Sequence, residues 1–270
     1  MLHLLKLEWL KIQKHSTTQI LLILYVIALP TLLLAGKSFN DLPQEFINRN
    51  TFYMFPTVWQ YLGYIGNWIS FFVFGFIAVM LVTTEYQNRT MRQNIITGLQ
   101  RREYFLSKVY FILAASLVGT LYYVICGLLF GLAHTETLSA AKMMQNTDLI
   151  PRYFLMLLSY MTFGLFIGTV IRKTGVSLFL YLAWAFFLER IVRYSFHQNI
   201  FPGKSIHFYP VNAASDLVPF NSPLNRMAEE YLEQNNFSLF LSPTEAVITS
   251  ALYIAVFLFI CYRLIQQRDL

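Results

Sequence analysis

The chain has 270 residues, 56% of them hydrophobic and 17% aromatic but only 13% charged, with a mean hydropathy of +0.50. Soluble domains carry about 25% charged residues, so the composition excludes an ordinary water-soluble fold and identifies a membrane protein. The net charge of +6 is then a matter of topology rather than of nucleic-acid binding, and the only two cysteines, Cys126 and Cys261, sit in apolar runs where neither a disulfide framework nor a zinc site is indicated.

Residues 1–14, MLHLLKLEWLKIQK, predict an amphipathic helix lying in the headgroup plane, with Leu2, Leu5, Trp9 and Ile12 on one face and His3, Lys6, Gln13 and Lys14 on the other. The alternative is a cytoplasmic extension of the first span. That span, 18–36, contains Pro30, which membrane helices tolerate when a neighbour satisfies the freed carbonyl. No small-x-small cleavage pattern follows it at a suitable distance, so it is read as retained rather than as a signal peptide.

A bilayer core of about 30 Å needs roughly 20 apolar residues per helix, and five further stretches provide them: 57–83, 109–133, 153–171, 175–194 and 243–262. The expected fold is all-α, one transmembrane domain of six spans. In the second span Gln60, Gly63, Asn67 and Ser70 recur at helical spacing. Such a polar stripe either lines a translocation path or hydrogen-bonds to a neighbouring helix.

The second and third spans are joined by the most polar continuous run in the chain, TEYQNRTMRQNIITGLQRREYFLSK over 84–108. Thr90 and Gln93 predict a capping box and Gly98 a left-handed stop, giving a short helix over 91–97 that carries Arg92, Ile95 and Ile96. A connection that only reversed direction would need about four residues. The local alternative is a basic surface turn that fixes topology.

In the fourth span, Gly164 and Gly168 match the small-xxx-small pattern of close helix approach, which serves packing inside one subunit or between two. Glu189 and Arg193 close the fifth span at i,i+4 spacing, where they pair on one helix face or snorkel outward. The following segment, 195–242, is too long for a plain connection; Ser222 and Pro223 predict a short helix through MAEEYLEQ, and Ser242 with Glu245 predicts a capping box opening the last span. His197 and His207 lack the cysteine or paired carboxylate that a metal site would want.

Placing both termini in the cytoplasm puts 12 of the 20 lysines and arginines, but only four of the 14 acids, on the inner side. Inner segments then carry +8 and the remainder −2, which fixes the orientation. The loop over 84–108 is the only substantial inner connection between spans.

The same loop resembles permeases of the type-two ABC exporter family, also called type V. Their pattern runs Glu-x-x-x-Gly-Thr-x-x-Gln, then a small residue or proline, then Arg-x-Glu and a lysine opening the next span. It is matched at Glu85, Thr90, Gln93, Thr97, Arg101, Glu103 and Lys108, and departed from at Arg89 and Gly98. The layout agrees over the whole chain: amphipathic first helix, six spans, long outer segment, short basic end.

This resemblance implies that the loop is a coupling helix docking on a separate ATPase subunit through Glu85, Thr90, Arg92, Gln93, Ile95, Ile96, Gly98, Arg101, Arg102 and Glu103. It further implies a second permease subunit, a substrate path past Gln60, Asn67 and Ser70, and location in a bacterial inner membrane. The chain has no Walker pattern of its own, so ATP and Mg belong to the partner ATPase and no cofactor to this chain. A non-ABC membrane scaffold is the rival reading. An intramembrane enzyme would want paired acids or a Ser/His set in a span.

Overall fold

A computed structural model describes residues 2–13, 15–35, 52–201, 203–220 and 239–267. Its described elements are helical: α1 (Leu2–Gln13), α2 (Ser16–Ala35), α3 (Val58–Gln87), α4 (Thr90–Ile96), α5 (Arg101–His134), α6 (Ala140–Met144), α7 (Leu149–Ile171), α8 (Thr174–Ile200), α9 (Pro210–Ser215) and α10 (Pro243–Gln267). Among the described residues, six helices are long and apolar enough to cross a membrane. They coincide with the six predicted spans, and most run several residues further, because polar ends such as Glu85 and Arg101 continue the helix beyond the apolar core.

The bundle is organised around α3, the most enclosed span, with 78% of its most apolar window buried against 17% for α8. The close neighbour of α3 is α7. A Cβ on Gly164 would stand 2.6 Å from the carbonyl oxygen of Gly75, and one on Gly168 3.0 Å from that of Val79. The small-xxx-small pair therefore serves packing within this chain. The Ser222–Pro223 helix lies outside the described residues.

Two features of α2 show how the bundle compensates for irregular backbone. Pro30 leaves the Val26 carbonyl without its helical donor, and the Tyr122 hydroxyl of α5 donates to that oxygen at 2.6 Å. The Tyr53 hydroxyl likewise donates to the Leu33 carbonyl in the last turn, at 2.9 Å. At the other end of the chain, the expected capping box opens α10. The Ser242 backbone N–H donates to Glu245 at 2.9 Å and the Glu245 N–H to the Ser242 hydroxyl at 3.4 Å.

The inward face of α1 differs from the expected one. Ile12 is buried and Leu5 half-buried, but Trp9 is 50% exposed and Glu8 is buried. The helix is rolled so that an acid, not the tryptophan, meets the bundle.

Candidate functional site

Polar side chains gather at both ends of the bundle. At the end that carries α4, Lys108 lies in the second turn of α5 with no exposed surface. Its Nζ donates to Glu8 Oε2 of α1 at 2.7 Å and to Glu85 Oε1 of α3 at 2.6 Å, and it stands 4.8 Å from the Tyr104 ring centroid. Lys11 donates to the same two carboxylates, at 3.2 and 2.8 Å, and the Ser107 hydroxyl reaches Glu8 Oε1 at 3.0 Å.

Two cations thus meet two anions, and the group is neutral. A buried ammonium is tolerated only when paired and hydrogen-bonded, and here the pairing draws α1, α3 and α5 to one point. Burial alone lowers the pKa of Lys11, but the carboxylates of Glu85 and Glu8 outweigh it and hold the group above the usual lysine value.

The short helix α4 projects from this joint, five residues after Glu85. Its N-terminus differs from the expected capping box. The cap position is held by Arg89 in the left-handed region, φ 54°, with no side-chain cap bond. This places Thr90 inside the first turn, where its hydroxyl donates back to the Glu85 carbonyl at 3.4 Å. A box-type bond forms instead at the start of α5, the Gln100 N–H donating to Glu103 Oε2 at 3.0 Å.

The stop at Gly98 is as expected: φ is +110°. The Leu99 N–H reaches the Asn94 carbonyl at 3.0 Å and the Gly98 N–H that of Ile95 at 3.1 Å, the paired bonds of a Schellman motif.

Within α4, Met91 is buried and Ile95 half-buried, while Arg92, Gln93 and Ile96 are exposed, Ile96 by 72%. The arginines divide. Arg102 is exposed, but the Arg101 guanidinium turns inward and donates to the carbonyls of Gln266, at 2.6 Å, and Ile265, at 3.5 Å. It satisfies the last turn of α10 and ties the final span to the loop.

In mid-bundle the polar stripe of α3 meets the tyrosines of α7. The Tyr25 hydroxyl donates to the Gly119 carbonyl at 3.1 Å and therefore accepts from Tyr153 at 2.9 Å. Tyr153 in turn accepts from Ser70 at 3.0 Å. The Tyr160 hydroxyl donates to Asn67 Oδ1, and Asn67 Nδ2 donates to the Ser215 hydroxyl at 3.1 Å. Asn67 also borders a cavity of about 120 Å³ in the half of the bundle away from α4, with Trp68, Phe186, Glu189 and Arg190. Ser70 has no exposed surface, and Gln60 is half-buried near the start of α3.

At the opposite end, two π-helical turns, Trp184–Leu188 and Val192–His197, interrupt α8 around Glu189. Glu189 and Arg193 are both buried and neither pair along the helix nor snorkel. Glu189 accepts from the N–H groups of Val211 at 3.1 Å and Asn212 at 2.7 Å, and from Trp184 at 3.0 Å. Arg193 donates to the Ile206 carbonyl at 2.7 Å and to Asn212 Oδ1 at 2.5 Å, and lies 3.2 Å from His207 Nδ1. His197 bonds Tyr209 and Ser205, each at 2.9 Å. These bonds fasten α8 to the segment that follows it. No group of metal-ligand type forms among the described residues.

The family model described as ABC-2 family transporter protein matches residues 4–188, a run that takes in the ion-paired joint, α4 and the first four spans whole. The chain belongs to the ABC-2 transporter family. A search of curated proteins returns no match. This ABC-2 protein is accordingly a multi-pass membrane subunit of an ABC transporter, a family whose membrane subunits work with an ATPase partner. The charged ends of its loop motif, Glu85 and Lys108, are the two halves of a buried ion pair.

Glu8 was missed in the sequence. The available signal was an acid in an otherwise basic helix, four residues before Ile12 on the same face.

Proposed function

We propose that this permease is the membrane subunit of an exporter in the inner membrane of a bacterium, with both termini and α4 cytoplasmic, and that α4 docks on the ATPase. One observation carries the reading: the exposed surface of α4 rests on a neutral, buried ion-pair joint that holds α1, α3 and α5 together. A push on α4 reaches the central helix α3 directly through Glu85, and α5 and α1 through Lys108 and Glu8. Short rigid elements between packed helices transmit such displacements as rigid-body motions.

The docking surface is Arg92, Gln93 and Ile96 with Arg102. Arg101 is a positioning residue, since its donors go to the end of α10. Glu103, Thr90, Ile95 and Gly98 shape the loop that presents this surface. A second permease subunit completes the substrate path, and the Asn67 cavity beside exposed Trp68 and Arg190 supports a place for it along the outer half of α3. ATP and Mg are held by the ATPase.

The test is site-directed crosslinking. A single cysteine replacing Ile96, in a background lacking Cys126 and Cys261, is expected to crosslink to the co-expressed ATPase, with a yield that changes on adding ATP. A cysteine at Gln145 is expected to give none and to label from outside. Crosslinking at Gln145 but not Ile96, or labelling of a cysteine at Gln100 in intact cells, contradicts the reading.

A further inference from the structure

A cavity of about 340 Å³ lies beside the inner joint. It falls in the range of about 300–1,000 Å³ typical of small-molecule sites and corresponds to the space of about ten waters at about 30 Å³ each. Water alone does not suit it, because part of the wall is apolar: Ile77, Met80 and Leu81 of α3. The polar part includes Lys11, His15, Gln93 and Asn94, with Asn88 and the hydroxyls of Thr18, Thr84 and Thr90. His15 Nδ1 is buried and has no hydrogen-bond partner, a destabilising condition that a ligand would relieve.

Charge decides the class of ligand. Glu8 and Glu85 also border the cavity, and they are balanced by Lys11 and by Lys108. The wall therefore carries no net charge. A net anion or cation displacing water here would sit uncompensated in a low-dielectric site, whereas a zwitterion would not. Lys11 gives two of its three ammonium protons to Glu8 and Glu85, leaving one for a phosphate oxygen, and the His15 ring N–H provides a second donor. The side-chain amide oxygens of Gln93 and Asn94 provide acceptors for an ammonium.

The depth is consistent with a lipid. The cavity reaches from the junction of α1 and α2, at His15, past Glu85 and Thr84 into the apolar part of α3 as far as Ile77. With α1 in the headgroup plane, this spans the boundary between headgroup and acyl chain. We propose that the cavity binds the headgroup of a zwitterionic aminophospholipid of the inner leaflet, phosphate toward Lys11 and His15 and ammonium toward Gln93 and Asn94. The lipid then bridges α1 and α4, so that coupling depends on it. This inference rests on the orientation given under the proposed function.

The test uses purified, delipidated permease–ATPase complex and native mass spectrometry. Phosphatidylethanolamine, phosphatidylglycerol and inorganic phosphate are added separately, and phosphate also as competitor. The expected result is one phosphatidylethanolamine per permease chain, retained at least tenfold more tightly than phosphatidylglycerol and undisplaced by millimolar phosphate. Met80→Trp, which fills the apolar part, and His15→Leu are each expected to reduce retention at least tenfold, whereas Val118→Trp, on the exposed side of α5, leaves it unchanged. His15→Leu keeps the test decisive where Met80→Trp fails to assemble.

Equal or greater retention of phosphatidylglycerol, displacement by phosphate alone, or retention indifferent to both cavity variants overturns the proposal. None of these outcomes bears on the crosslink at Ile96, so the lipid site and the docking reading fail separately.

Discussion

The two ends of the bundle solve one problem, the burial of charge, in opposite ways. At the α4 end Lys108 and Lys11 meet Glu8 and Glu85, and opposite charges from three distant segments cancel. At the opposite end Glu189 accepts backbone and indole N–H groups, while Asp216 Oδ2 accepts from Asn212 at 2.9 Å and the Leu241 N–H at 3.1 Å. The carboxylates there are held chiefly by neutral donors. The difference teaches which end is a fixed joint and which responds to its surroundings. The ion-paired joint sets a charge of opposite sign beside each buried group, whereas the burial of Asp216 is offset only in part by its hydrogen-bond donors. Burial pushes Asp216 up to about 7 against the opposing effect of the Leu241 N–H and Arg193.

The largest effect that sharpens this contrast is expected for Lys108→Met. It leaves Glu8 and Glu85 buried with only Lys11 between them, and removing one partner of a buried pair costs about 3–5 kcal/mol. Thermal unfolding of the purified complex is expected to show a large loss. A shift no greater than that of a surface substitution would break the account of the ion-paired joint.

Next in size is the pH response of the end around Asp216. The pKa of folded Asp216 is raised above its ordinary value of 3.8. Its contribution to stability is therefore fully present below about pH 4 and is lost as pH rises through about 7. At about 1.4 kcal/mol per pH unit for each proton by which the two states differ, the loss between pH 5 and 8 is at most about 2–3 kcal/mol. Asp216→Asn retains an acceptor and is expected to flatten the dependence of the melting temperature over that range. An unchanged slope would show that another group titrates.

The smallest effect is expected for Thr90→Ala. A side chain that caps a helix contributes about 1 kcal/mol, but Thr90 lies inside the first turn with one long bond to Glu85. Its replacement is expected to shift stability by no more than about 0.5 kcal/mol. A loss near 1 kcal/mol in the melting of the complex would restore the capping role expected from the sequence.

The spans were legible because a membrane helix declares itself in a single local property, apolar length. The Gly98 stop and the Ser242–Glu245 box were legible for the same reason, each being set by residues within one turn. Glu8 was not, because a lone acid in a basic amphipathic helix reads as solvated; its burial is decided by Lys108, 100 residues away. The arginines at 101 and 102 are identical in sequence terms and differ only because the end of α10 reaches one of them. Thr90 misled because the position of the cap depends on Arg89 adopting a positive φ, which residue type alone does not announce.

The measurement that tests the central claim most directly is co-purification of the ATPase with Arg92→Glu, Arg102→Glu permease, alongside Lys142→Glu as an outer control. Like charges at a docking surface cost several kcal/mol, whereas both replaced arginines are exposed. The account predicts that the double variant inserts and melts like the unmodified protein, loses its ATPase and no longer stimulates hydrolysis, while the control retains both. Retention of the partner and of stimulated hydrolysis by the double variant would contradict it.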